Sequence, residues 1–186
     1  MPVQLTKRLF TVDDYHRMAE AGILAEGDRV ELIEGEIVAM TPIGPPHGAA
    51  VDRATRTLVH AVGEKAIVRV QGSVRLNEYN EPQPDLVLLR PTPDFYASRL
   101  PGPSDIFLIV ESAQSSLEYD RTVKARLYAD AGVPEYWIAD LDHDCVFVYS
   151  DLRNGVSRTV RELARGEVLA PRLLADCRIQ VDALLA

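Results

Sequence analysis

Two short stretches constrain this chain more than any other feature. Leu86-Val-Leu-Leu89 and Ile106-Phe-Leu-Ile-Val110 are uninterrupted apolar runs, not alternating ones. Neighbouring side chains on a strand point to opposite faces, so a continuous apolar run needs cover on both sides. Strands of this kind sit in the middle of a sheet with helices on either face. An acid bounds each run: Asp85 precedes the first and Glu111 follows the second. Between the runs stand Pro91, Pro93, Pro101 and Pro103, which exclude a regular helix or strand from residues 90–104. A connection this long and irregular is often functional or mobile.

The rest of the chain supplies the cover. Thr11 with Asp13 and Asp14 marks a helix start, Val12, Tyr15, Met18 and Ala19 follow helical spacing, and Gly22 marks a stop. Residues 29–33 and 36–40 alternate around Glu34-Gly35 and predict a hairpin. A helix is expected over residues 47–64, with Val51, Ala54, Leu58 and Ala61 on one face. Strands are expected at 66–70 and 73–76. A helix follows at 120–131, closed by Gly132 and Pro134, then strands at 135–139 and 145–149. Residues 153–155 read as a turn. The tail is weaker in pattern, with a strand near Val168 and a short helix at 181–185. The sum is an α/β class, a mixed β-sheet flanked by helices. A length of 186 residues fits one domain spanning 1–186.

Composition narrows the function classes. The 47% hydrophobic and 26% charged fractions are those of a globular protein and argue against a disordered or collagen-like chain. No run of 18 apolar residues occurs, and residues 1–10 lack the apolar segment of a secretory signal, so a soluble cytoplasmic protein without a membrane partner is expected. Cys145 and Cys177 are too few for a disulfide framework or a four-cysteine zinc site. The net charge of −8 weighs mildly against nucleic acid, whose affinity comes from Lys and Arg neutralising phosphates. Residues 151–186 break the acidic trend with Arg153, Arg158, Arg161, Arg165, Arg172 and Arg178. Glu162, Glu167 and Asp176 interleave, so a solvated face is favoured over a phosphate-contacting one. Lysine is scarce: Lys7, Lys65 and Lys124 are all there are.

If the two apolar strands lie antiparallel and adjacent, Asp85 at the start of one meets Glu111 at the end of the other. Two converging buried carboxylates are costly unless a cation joins them, and an oxygen-only ligand pair points to Mg²⁺ or Mn²⁺. Lys124, on the next helix, is placed to orient a metal-bound water, to stabilise charge on a phosphate, or to act as a base if desolvated. Spacing alone leaves plainer readings open. Asp85 then caps a turn, Glu111 begins a loop, and Asp120 with Lys124 forms an i,i+4 surface pair.

The ordered set of motifs adds a resemblance. Glu31-Leu-Ile-Glu-Gly-Glu36, Pro84-Asp85, Val110-Glu111, Asp120-x-x-x-Lys124, Tyr128 and Gly132-Val-Pro-Glu-Tyr-Trp137 resemble the Uma-type restriction endonuclease family of the PD-(D/E)XK nuclease superfamily. The likeness covers roughly residues 10 to 150. It implies a restriction-endonuclease-like fold, a divalent metal and DNA phosphodiester hydrolysis. Asp85 and Glu111 would bind the metal, and Lys124 would assist the water. Glu31 matches an acid of the family's first hairpin, as a further ligand or water-orienting group; an exposed strand carboxylate is the equal alternative. The superfamily's lysine two residues after the acid is absent, since Ala113 stands there, so its role falls to Lys124. The loop Ser112-Ala-Gln-Ser-Ser116 also departs from the Ser-Pro-Ser-Thr-like stretch of relatives. Tyr136 and Trp137 are expected in the core. Gln71 reads as part of a turn with Gly72, and His47, in Pro46-His47-Gly48, as a helix entrance rather than a phosphate contact. His16, His60 and His143 show no ligand-like spacing. The alternative function is a catalytically silent module of the same fold that binds DNA or a protein partner. A smaller phosphoester is a third candidate substrate. For a duplex cutter, two sites in a homodimer or higher homo-oligomer are expected.

Overall fold

Continuous burial of the two apolar runs is met by a six-stranded sheet. The computed structural model describes residues 7–25, 27–153 and 155–185. Helix α1 (Val12–Glu20) leads into a hairpin of β1 (Val30–Ile33) and β2 (Glu36–Ala39). Helix α2 (Pro45–Val62) follows, then β3 (Ile67–Val70), β4 (Leu86–Leu89) and β5 (Ile106–Ala113). A helical crossover comes next: α3 (Leu117–Tyr119), a π turn (Asp120–Lys124) and α4 (Ala125–Asp130). Strands β6 (Glu135–Asp140), β7 (Cys145–Arg153) and β8 (Val156–Ala164) complete the sheet, and β9 (Val168–Leu169) pairs with β10 (Ile179–Gln180).

The sheet order is β3-β4-β5-β6-β7-β8. Strands β5 and β6 run parallel, and the other neighbours run antiparallel. A parallel pair cannot be joined by a tight turn, and the α3–α4 crossover makes the connection. Each apolar run divides its side chains between two cores. Leu86, Leu88, Leu108, Val110 and Trp137 pack with Ala54, Leu58 and Val62 of α2. Val87, Leu89, Ile109, Tyr136 and Ile138 pack with Leu127, Tyr128 and Ala129 of α4. Every residue of β4 and β5 is buried, as the absence of alternation requires.

Local chemistry sets the ends. Thr11 Oγ1 accepts from Asp14 N, and Thr11 N donates to the Asp14 carboxylate, both at 3.1 Å, closing a capping box on α1. Pro45 and Pro46 occupy the first two positions of α2, where a missing N–H costs nothing.

Several expectations are corrected. Residues 73–76 form no strand. Their apolar side chains, Val74 and Leu76, are buried, but the backbone bonds within its own loop, Val74 N to Pro82 O and Leu76 N to Asn80 O. Strand β8 went unpredicted because it is an edge: Val156 and Val160 are exposed, so no apolar alternation marks it. The final helix is a single 3₁₀ turn, Val181–Ala183. The expected turn at 153–155 includes Asn154, which lies outside the described residues. Cys145 and Cys177 are free and buried. Among the described residues no helix is long and apolar enough to cross a membrane.

Leu108 is fully buried at the centre of β5, whereas Val160 is half exposed on β8. Leu108→Ala is expected to cost about 2–5 kcal/mol and Val160→Ala less than about 0.5 kcal/mol, read from urea unfolding midpoints.

Candidate active site

Antiparallel pairing of β4 with β5 sets Leu86 opposite Val110, so the residues just beyond them meet. Asp85 N donates to Glu111 Oε2 at 3.0 Å, and Ser112 N donates to Asp85 Oδ2 at 2.9 Å. The convergence expected of Asp85 and Glu111 is therefore present, with each acid tied to the other's strand.

Lys124 does not form the surface pair with Asp120 that i,i+4 spacing suggests. Its Nζ lies 2.9 Å from Glu111 Oε1 and 3.4 Å from Glu31 Oε2. Asp120 instead accepts from Ser116 Oγ at 2.6 Å. The two residues open and close the π turn, and both are buried. Such wide turns inside helices are frequent at functional sites. Tyr128, one turn further on, donates its hydroxyl to Glu111 Oε1 at 3.1 Å.

Glu31 is not the exposed strand carboxylate of its second reading. It is 4% exposed, so it is no surface carboxylate, and its Oε2 accepts from Gln83 N at 3.1 Å on the far side of Lys124. His47 is the helix entrance expected of it and more besides: its Nε2 stands 3.0 Å from Asp85 Oδ1. Gln71 does shape a turn, at φ +46°, and its amide Nε2 also reaches Asp85 Oδ1 at 3.4 Å. Sequence reasoning gave neither His47 nor Asp120 a place in the site. The available signal for His47 was a histidine directly behind two prolines that start a helix.

The electrostatics follow from burial. Asp85, Glu111, Asp120 and Lys124 are each no more than 8% exposed. Burial pushes the Glu111 carboxyl up to about 8, against the pull of Lys124. Burial likewise pushes Asp120 up to about 6. Burial alone would lower the Lys124 ammonium, but Glu111, Glu31 and Asp120 outweigh it and hold the lysine protonated above its ordinary range. The hydrogen bond to Asp85 raises His47 above its ordinary value, with burial opposing.

These groups line a cavity of about 360 Å³ beside Arg29, the loop before α2 and the loop after β5. Ser112 Oγ and Tyr119 OH also lie along it, buried and without a protein hydrogen-bond partner. Among the described residues no three His, Cys, Asp or Glu side chains are grouped as a metal cage. Mg²⁺ needs none: it keeps several waters and is held by one or two carboxylates together with substrate phosphate. The Asp85–Glu111 oxygen pair fits that mode.

Other polar groups stand apart from the site. His16 pairs with Glu81 at 2.8 Å and His143 with Asp140 at 2.9 Å. Arg165 pairs with Asp144 and Asp182, and Arg172 with Asp151, as a solvated face would have it. The side chains of Arg153 and Arg158 lie outside the description. Tyr136 and Trp137 are fully buried, as expected of core residues.

The chain is similar to known proteins in sequence and in fold. The profile of the Uma2 family, described as "Putative restriction endonuclease", matches residues 12–182. No curated protein matches the sequence. A crystal structure from Anabaena variabilis ATCC 29413, titled as "a putative nuclease belonging to DUF820", superposes with a TM-score of 0.74 at 14% identity, covering 94% of this chain and 97% of that one. At that identity the likeness establishes a shared fold.

Two stability measurements probe the site without metal, in chelator. Lys124→Met leaves Glu111 and Glu31 buried without their cation and is expected to cost about 3–5 kcal/mol at pH above about 8, where both are ionised. The loss should shrink as the pH is lowered and the orphaned carboxylates take up protons. Asp120 titrates at about 6 in the folded chain, above its ordinary 3.8. Its favourable contribution is therefore full below about pH 4 and lost as the pH rises through about 6. Asp120→Asn cannot ionise, so its stability relative to wild type should improve across that window in urea titrations.

Proposed function

The chain belongs to the Uma2 family, and from that membership together with the site's geometry we propose a metal-dependent endonuclease that hydrolyses DNA phosphodiester bonds. One observation carries the reading: Asp85 and Glu111 converge at the ends of two buried strands, with the Lys124 ammonium 2.9 Å from Glu111, on the wall of an open cavity. Asp85 and Glu111 would hold Mg²⁺ or Mn²⁺. The bound ion supplies a water of lowered pKa and offsets charge on the phosphate. Lys124, kept protonated between Glu111 and Glu31, stabilises the extra negative charge of the pentavalent transition state and orients the attacking water. Tyr128 fixes Glu111, and Glu31, which holds Lys124 and lines the same cavity, is placed as the further ligand or water-orienting group.

The reading extends to DNA as substrate, to a cytoplasmic setting, and to a single nuclease domain over residues 1–186. It extends also to a homodimer or higher homo-oligomer, which places one site on each strand of a duplex. Sedimentation showing only monomer at micromolar concentration would exclude that assembly.

The test is nicking of supercoiled plasmid with Mg²⁺ or Mn²⁺. Wild type should nick and lose activity in chelator, and Asp85→Ala and Lys124→Ala should each fall by about 10²–10³-fold. Equal cleavage by all three proteins would sink the assignment, and inactivity of all three with metal present would favour a silent binding module.

A further inference from the structure

We propose that His47 is a positioning residue for the metal-binding carboxylate: its Nε2–H donates to Asp85 Oδ1 and holds Asp85 in the orientation that accepts a divalent cation. The inference rests on the nuclease reading and adds a residue to its site. Asp85 stands between Pro84 and the first residue of β4, where the chain leaves an irregular stretch, so the strand itself does not settle its side-chain rotation. The carboxylate is settled from outside. Ser112 N, on β5, fixes Oδ2 at 2.9 Å. On Oδ1 the two candidate donors are His47 at 3.0 Å and Gln71 at 3.4 Å, and the shorter contact is the stronger.

The placement of His47 is itself fixed. It is the third residue of α2, an 18-residue helix whose first two positions are proline. Those prolines set the start of the helix and offer no N–H, and the imidazole of the next residue reaches Asp85. Its side chain is 22% exposed, at the edge of the same cavity that Asp85 and Lys124 line. Because Oδ1 only accepts, the bond requires the proton on Nε2. A donor on a ligating carboxylate restrains its orientation, and losing such a support typically weakens metal binding about 10–100-fold.

Calorimetric titration of the full chain with Mn²⁺ tests this, with melting temperature recorded for each variant. His47→Leu, which fills the space without a donor, should weaken Mn²⁺ binding about 10–100-fold. His47→Gln, which restores an N–H, should recover most of it, and Asp85→Asn should lose more than either. If His47→Leu binds as wild type does while Asp85→Asn fails, the His47 role is overturned and the nuclease reading stands. A lower melting temperature in His47→Leu with unchanged affinity would likewise reduce His47 to a structural tie. Unchanged binding in Asp85→Asn would overturn both. Should a variant fail to fold, Mg²⁺ titration of wild type followed through the His47 imidazole nitrogen resonances decides. They should shift in step with calorimetric saturation, and resonances that stay fixed would overturn the role.

Discussion

The buried ammonium of Lys124 is the interaction on which the rest of this site depends. It is the one buried cationic side chain of its type among the described residues, against Glu31, Asp85, Glu111 and Asp120 at the same sheet end. An isolated buried carboxylate costs several kcal/mol, and like charges packed together cost more. Lys124 contacts two of the four, and Asp120 is eased by the hydroxyl of Ser116. The remaining deficit shows in Glu111, which burial drives to about 8 even with the ammonium beside it. A group of acids left short of positive charge is one that gains from a divalent cation. Structural need and the proposed chemistry therefore ask for the same ion.

The fold delivers this arrangement through connectivity. An antiparallel turn-back from β4 to β5 sets the beginning of one strand beside the end of the other, which no parallel pairing of the same strands would do. The crossover to β6 must then pass over the sheet, and its helix lays Lys124 and Tyr128 across the exit of β5. The π turn gives Asp120 and Lys124 separate partners within a few residues of each other. The two carboxylates thus come from the ends of rigid strands, and the ammonium comes from the one element that has to cross them.

What was legible in the sequence follows the same logic. The uninterrupted runs at 86–89 and 106–110 announced central strands, and antiparallel adjacency then placed Asp85 against Glu111 before any coordinates. The resemblance to nuclease motifs drew Lys124 and Glu31 into the set, though spacing alone favoured a surface pair for the lysine. His47 and Asp120 were not legible, because a helix entrance and an i,i+4 pair are sufficient explanations of those residues in one dimension. Their partners, Asp85 and Ser116, lie on other elements or behind a π turn that no periodicity reveals. Strand β8 escaped for the opposite reason: with one neighbour and a solvated edge, it has no need of the alternation by which strands are recognised.

The net charge of −8 then takes on a different meaning. Glu31, Glu81, Asp85, Glu111, Asp120, Glu135 and Asp140 are all buried, and Lys124 is the buried base that accompanies them. Most of the chain's excess negative charge is therefore buried, with Glu31, Asp85, Glu111 and Asp120 around Lys124 and Glu81, Glu135 and Asp140 apart from it, not spread over the surface that a nucleic acid would meet. Affinity for a polyanion is set by the Lys and Arg side chains that replace its counterions, not by the total. The arginine-rich composition leaves such groups on the outside, while most of the acids that make the total negative are buried. Acidity, read as a bulk number, speaks against DNA; read by position, it is largely a property of the interior.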